Sequence, residues 1–269
     1  MKPIAALPMY DFPALRQAHA QLWSAIAERL ERLRVPDVPR HLTWTLAHRD
    51  TWTHPGLLFG QACEYPLVKS YRRQLQVVAT PSYRAPGCAP GTYCSAILVR
   101  VGDRALSLDD LRGRVCVVNE PDSNSGMNLL RAALAPRARA GRFFSSTYLS
   151  HSHHQSVTQV AAGKADVTAI DCVTLAHLTR FERALIAQVR ILDWTPSSPC
   201  LPFVTSHLTS NATVQALRTA LAEVMTDASL SSMRDTLLLD DVVCDPNPSL
   251  ARVEALQGFA ERHAYPVLA

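Results

Sequence analysis

At 269 residues, with 48% hydrophobic, 7% aromatic and 19% charged residues, the chain can form two compact lobes and is neither disordered nor fibrous in make-up. Its net charge of +4 is spread along the chain rather than striped, so no nucleic-acid partner is expected. No apolar run approaches the roughly twenty residues that cross a bilayer, so no direct membrane insertion is expected either.

Residues 1–10 read as a first strand, interrupted by proline too soon to serve as a secretory leader. The expectation is a cytoplasmic protein if the chain is full length, or an exported one whose leader has been removed. Asp11-Phe12-Pro13 signals a helix start, and Leu15, Ala18, Leu22, Ile26, Leu30 and Leu33 then recur at helical spacing. Strands are predicted at 42–46, 56–60 and 75–80, and the alternation favours a mostly parallel sheet covered by helices. The pattern restarts near Ser95, with strands at 96–101 and 115–118 flanking a short capped helix at 107–111. A helix around 156–162 stops at Gly163, and strands follow at 165–171 and 189–194. Pro196, Pro199 and Pro202 punctuate an extended return segment, after which the chain is predicted to be mainly helical, with Val214, Leu217, Leu221 and Val224 in register.

Seven cysteines show no CxxC spacing, so neither a metal cluster nor a redox motif is expected. Cys116 and Cys172 lie in strand-like apolar runs and read as small buried hydrophobes, which favours a reducing compartment.

The most informative stretch is Asn119-Glu120-Pro121-Asp122-Ser123-Asn124-Ser125-Gly126-Met127-Asn128, between a buried strand and a helical pattern beginning at Leu129. The first turn of a helix presents N–H groups without internal partners at the positive end of its dipole, a place where an anion binds without a full positive charge. Ser123 and Ser125 offer hydroxyls, Asn124 an amide, and Gly126 lets a ligand approach the backbone. Ser and Asn are equally ordinary N-cap residues, so helix capping and anion binding both stay open on the residues alone. Ser150-His151-Ser152-His153-His154 precedes a second helix, where Ser152 and His153 can aim a hydroxyl and an imidazole at the same ligand. His151 and His154 read as exposed turn residues, and this run lies on a turn rather than on one helical face, so no metal site is expected.

Residues 111–126, with Ser152-His153-His154-Gln155-Ser156, Val160-Ala161-Ala162-Gly163-Lys164-Ala165-Asp166-Val167 and Ile170-Asp171, resemble the phosphate/phosphonate substrate-binding proteins of ABC transporters, over nearly the whole chain. The resemblance implies an α/β fold of type II periplasmic-binding-protein kind: two α/β lobes joined by two crossing segments, with the ligand in the interlobe cleft. It places lobe 1 at residues 1–94 and 204–269, and lobe 2 at 95–203. It implies a small oxyanion ligand (phosphate, phosphite or phosphonate), an ABC permease as partner, a periplasmic location and no cofactor. Ligand-binding residues on this reading are Tyr10, Gln61, Tyr93, Ser123, Asn124, Ser125, Gly126, Ser152, His153 and Asp171. Tyr10 is expected to end the first strand, and Asp171 to end a strand in lobe 2, where it serves the site or caps the next helix. Where relatives that bind aminoalkyl phosphonates carry carboxylates, this chain has Val173 and Leu201, which disfavours an amine-bearing ligand.

No nucleophile with its own base, Gly-x-Ser-x-Gly elbow or Walker-type loop is present, so the chain is not expected to be an enzyme. Two alternatives use the same fold. A thiamine-pyrimidine-synthase-like enzyme calls for a cysteine-rich iron site that the sequence lacks. A cytoplasmic ligand sensor of the LysR-effector kind calls for a helix-turn-helix partner domain.

Overall fold

Pro13 fixes the backbone at the start of a 3-10 turn, Pro13–Leu15, and the chain continues from it into a helix over Arg16–Arg32. The buried face of that helix carries Ala18, Leu22, Ile26 and Leu30, as the periodicity predicts, with Leu15 buried just before it. Leu33 is 44% exposed because it is the residue that ends the helix.

The computed structural model describes residues 2–245 and 250–269, so Met1, part of the predicted first strand, lies outside them. In chain order the elements are β1 (Ile4–Ala6), α1 (Arg16–Arg32), α2 (His48–Thr53), β2 (Leu57–Gln61), α3 (Glu64–Pro66) and β3 (Leu75–Tyr83). There follow β4 (Thr92–Tyr93), β5 (Ser95–Arg100), β6 (Val115–Val118), α4 (Leu129–Leu134), β7 (Ser146–Leu149), α5 (His153–Ala161) and β8 (Val167–Asp171). The chain ends with α6 (Cys172–Phe181), α7 (Arg183–Ile186), β9 (Val189–Trp194), β10 (Ser198–Pro199), β11 (Phe203–Ser206), α8 (Asn211–Thr226), α9 (Ser231–Leu237), β12 (Leu239–Val243) and α10 (Ala251–Arg262). Among the described residues no helix is long and apolar enough to cross a membrane.

Two units divide these elements: Met1–Arg84, Ala89–Gly91 and Pro199–Ser249 form the first, and Ala85–Cys88, Thr92–Ser198 and Leu250–Ala269 the second. The first holds a sheet of order β1-β2-β11-β3-β12. Only β1 and β2 run parallel; β11 lies antiparallel between β2 and β3, and β12 pairs antiparallel with β3. The expected mostly parallel sheet is thus a mixed one, because two strands from the C-terminal part of the chain enter it in the opposite direction. Helix α1 packs against α8 and α9, and α8 buries Val214, Leu217, Leu221 and Val224. The predicted strand at 42–46 does not form. That segment is irregular, and Thr43 N–H donates to Ala5 O at 2.7 Å.

The second unit holds a sheet of order β7-β6-β8-β5-β9. Its half β7-β6-β8 is parallel, while β5 is antiparallel to both β8 and β9. The parallel strands need crossovers, which α4 and α5 provide. Gly163, at φ 70°, stops the chain after α5 as expected, a conformation in which glycine bears no Cβ penalty. The C-terminal helix α10 also belongs here rather than with residues 204–249. It buries Val253, Leu256 and Ala260, contacts α4, and is followed by Pro266 O accepting from Arg131 Nη1 at 2.6 Å.

Candidate functional site

Parallel pairing in the order β7-β6-β8 sets the carboxyl ends of three strands side by side, and the chain turns from each into helical structure. That edge of a parallel sheet is the usual place for a ligand. After β6 come Ser123 to Asn128, after β7 come Ser150 to His153, and β8 ends on Asp171. The first two turns are tied together by backbone bonds: Ser150 N–H donates to Val118 O and His151 N–H to Asn119 O, each at 2.9 Å.

The turn after β6 is a wide π-type turn over Asn124–Asn128, running into α4. Ser123 caps it, its Oγ accepting from Gly126 N–H at 3.0 Å. Gly126 packs so closely on the half-buried Asn119 that an added Cβ collides with Asn119 Oδ1. Its glycine identity therefore serves the packing of the turn as well as any approach of a ligand. The Asn124 side chain is fully buried. Its amide donates to Tyr93 Oη at 3.1 Å and Ser198 Oγ at 2.9 Å, and its Oδ1 accepts from Asn128 Nδ2 at 2.9 Å. These bonds give both Asn124 and the buried Tyr93 a role in shaping the turn. Asn128 and Ser198 complete that network without having been assigned to the site: Asn128 closes the 119–128 stretch but was given no role, and Ser198 lies in the proline-punctuated return segment, where no motif marks it.

The turn after β7 bends through His151, which holds a left-handed φ of 66°, and is fastened by Ser150 Oγ against Ser156 Oγ at 2.6 Å. Ser152 then caps α5, its Oγ accepting from Gln155 N–H at 3.1 Å. His151 and His154 are exposed, as expected, and His151 Nδ1 lies 3.6 Å from a Glu120 carboxylate oxygen. His153 turns the other way. Its Nε2 lies 2.9 Å from Ser125 Oγ and 3.5 Å from Asp171 Oδ2, and its side chain is only 16% exposed. Asp171 both ends β8 and caps α6, with Oδ1 accepting from Thr174 N–H at 2.8 Å.

This geometry assigns the imidazole proton. A carboxylate only accepts, so the nitrogen facing both Asp171 and Ser125 is the one that carries hydrogen. Nδ1 is buried without a hydrogen-bond partner, and protonating it would place an unsatisfied N–H there. Burial lowers the His153 pKa below its ordinary value and the Asp171 charge only partly restores it, so the ring is neutral near pH 7. With Nε2–H donated to Ser125 Oγ, the serine hydroxyl proton is left to point elsewhere. Among the described residues, the other hydroxyl beside it is Ser123 Oγ, at 3.4 Å a distant acceptor.

Tyr10 and Gln61 belong to the first unit. Tyr10 lies beyond β1, which ends at Ala6 rather than reaching it, and its buried ring meets Tyr83 edge-on at 5.7 Å. Gln61 ends β2 and donates to Tyr83 Oη at 2.9 Å and to Leu201 O at 3.0 Å. Tyr83 thus gathers both residues, and nothing local in the sequence marks it.

The chain shares its fold with binding proteins. It superposes on a binding protein component of an ABC phosphonate transporter from Pseudomonas aeruginosa with a TM-score of 0.76, at 14% identity, covering 98% of this chain and 88% of that one. A similar likeness, TM-score 0.75 at 12% identity over 97% and 98% of the two chains, holds for PhnD1 from Prochlorococcus marinus in complex with methylphosphonate. A Xanthomonas citri protein bound to ATP gives 0.72 at 14% identity, with 98% of each chain covered. At such identities the likeness speaks to the fold, which is that of type II periplasmic binding proteins. Comparison with curated protein sequences finds no match. The family model described as ABC transporter, phosphonate, periplasmic substrate-binding protein matches residues 57–243, more than half of the chain, and the chain belongs to that family.

Proposed function

We propose that the chain captures a small phosphorus oxyanion, such as phosphate, phosphite or a small phosphonate, and hands it to the permease of an ABC transporter. The observation that carries this reading is the meeting of two turns at one sheet edge, joined by the 2.9 Å contact between Ser125 Oγ and His153 Nε2. Around that contact stand the hydroxyls of Ser123, Ser125 and Ser152 and the positive end of the α5 dipole, all neutral donors suited to an anion. The likeness to a methylphosphonate complex and the family match support the same ligand class.

The arrangement suits binding without catalysis. A nucleophilic serine needs a base on its hydroxyl, and here the imidazole offers Ser125 an N–H instead. Asp171 sits on the same nitrogen as the serine rather than on the opposite one, so it cannot orient His153 as a base. Val173, fully buried just after Asp171, brings no carboxylate for a ligand amine, which favours an oxyanion with a small uncharged tail.

Thermal melting with a panel of phosphate, phosphite, methylphosphonate, glucose and arginine tests the reading. At one hundred times its dissociation constant, a bound anion stabilises the protein by about 2.7 kcal/mol. For a chain of this size that raises Tm by roughly 5 °C. A shift with the sugar or the amino acid, and none with the phosphorus anions, would refute it.

A further inference from the structure

Seven cysteines without CxxC spacing gave no redox motif in the sequence, yet the structure gathers Cys88, Cys94 and Cys172 in the second unit. Cys88 Sγ lies 3.3 Å from Cys172 Sγ across 84 residues of sequence, and Cys94 Sγ donates to Gly87 O at 3.2 Å. The segment Ala85–Cys88 is laid directly on these sulfurs. Gly87 holds a φ of 94°, and a Cβ there would come within 2.9 Å of Cys94 Sγ and 3.1 Å of Cys172 Cβ.

We propose that Cys88 and Cys172 are a redox modification site, closing reversibly to a disulfide that ties Ala85–Cys88 to the first residue of α6. A disulfide sets its sulfurs about 2.03 Å apart, so closure asks for a movement of only about 1.3 Å. Cys88 is partly exposed whereas Cys172 is 1% exposed, so Cys88 reacts first. With a small disulfide such as oxidised glutathione, the Cys88 thiolate attacks one sulfur and expels one glutathione thiolate. The Cys172 thiolate then attacks the Cys88 sulfur of the mixed disulfide and expels the second. Two protein thiols are oxidised, one glutathione disulfide is reduced to two thiols, and the protons of Cys88 and Cys172 end on those thiols. The hydrogen bond to Cys88 is the largest influence raising the Cys172 thiol pKa, and it disappears once Cys88 is in the mixed disulfide, which favours the second step.

Cys172 directly follows Asp171, whose carboxylate caps α6 and faces His153. Closing the bond pulls on that first turn and weakens anion binding, a consequence that rests on the function proposed above. An oxidising compartment forms the bond and a glutathione-rich one keeps it open.

The test treats the intact chain with oxidised glutathione, alkylates the remaining thiols and maps peptides. Phosphate affinity is measured by calorimetry before and after. A Cys88–Cys172 linked peptide and a phosphate Kd raised roughly threefold or more, both reversed by dithiothreitol and both absent in Cys88→Ser, are expected. All seven thiols still alkylated, or a Cys94–Cys172 link in place of this one, would overturn the site. A linked peptide with equal Kd in both states would overturn the coupling. A linked peptide in a protein that binds phosphate in neither state supports the redox site and counts against the anion reading.

Discussion

Alanine in place of Asn124 is expected to destabilise the second unit by roughly 3 kcal/mol, the sum of a small cavity and buried polar groups left without partners. The side chain is fully buried and joins three parts of the unit, namely Tyr93, Ser198 and Asn128. Asn128 Nδ2 would keep only a long 3.5 Å contact to Val253 O. Its Oδ1 also accepts from Arg131 Nη2 at 2.7 Å, and Arg131 Nη1 reaches Pro266 O, so the disturbance extends toward the C-terminus. Because the turn carrying Ser123 and Ser125 is held by this network, anion affinity should fall together with stability. Urea denaturation of the wild type and of Asn124→Ala measures the first effect and calorimetry the second. A loss below about 1 kcal/mol with unchanged affinity would show that the turn holds its shape without the network.

How the turn is held was only partly written in local sequence. The hydroxyl and glycine pattern at 123–126 between a strand and a helix is a short-range signal, and it led to Ser123, Ser125 and Gly126. Ser152 and His153 carried the same kind of signal at the start of α5. What the sequence could not show is which groups meet, because Tyr93, Asn124 and Ser198 come together across 31 and 74 residues. The tautomer of His153 was equally out of reach, since it follows from Asp171 arriving on the neighbouring strand end. For the same reason Cys88 and Cys172 looked like isolated residues: no spacing rule covers a pair brought together by a sheet and a loop.

The fold was legible where periodicity is strong. Helices α1 and α8 follow their apolar stripes, and β6 and β9 fall within the predicted ranges. It failed where composition and tertiary context part company. Thr43-Trp44-Thr45 has strand-forming residues, but among the described residues the segment finds no ladder partner beyond one bond to Ala5 O. Conversely β12 contains Asp240 and Asp241, which discourage a strand, and forms because β3 is long enough, from Leu75 to Tyr83, to pair along its outer end. The C-terminal helix α10 carries an ordinary apolar face. Which unit it covers depends on long-range packing, here of Val253, Leu256 and Ala260.

The hydroxyl of Ser125 should matter most to binding. A hydrogen bond to a charged group contributes about 1.5–3 kcal/mol, so Ser125→Ala should lower methylphosphonate or phosphate affinity tenfold to a hundredfold. Stability should change little, since Ser123 rather than Ser125 caps the turn. His153→Gln separates the charge of the imidazole from its role as a donor. In the free protein burial holds the His153 pKa below 6.5, so between the folded and unfolded values the unfolded chain binds more protons. Stability therefore falls as pH drops through 6.5 and below, and the glutamine variant should lack that part of the slope. Binding has the opposite sign. An anion beside Nε2 favours the imidazolium, so the complex takes up protons and affinity rises as pH falls through the histidine range, after the ligand's own protonation is subtracted. Calorimetry of wild type, Ser125→Ala and His153→Gln from pH 5 to 8 should show a steep loss of affinity for the first variant and a flattened pH profile for the second. An unchanged Kd for Ser125→Ala would return that hydroxyl to a structural role, and an unaltered pH profile for His153→Gln would place the anion away from the imidazole.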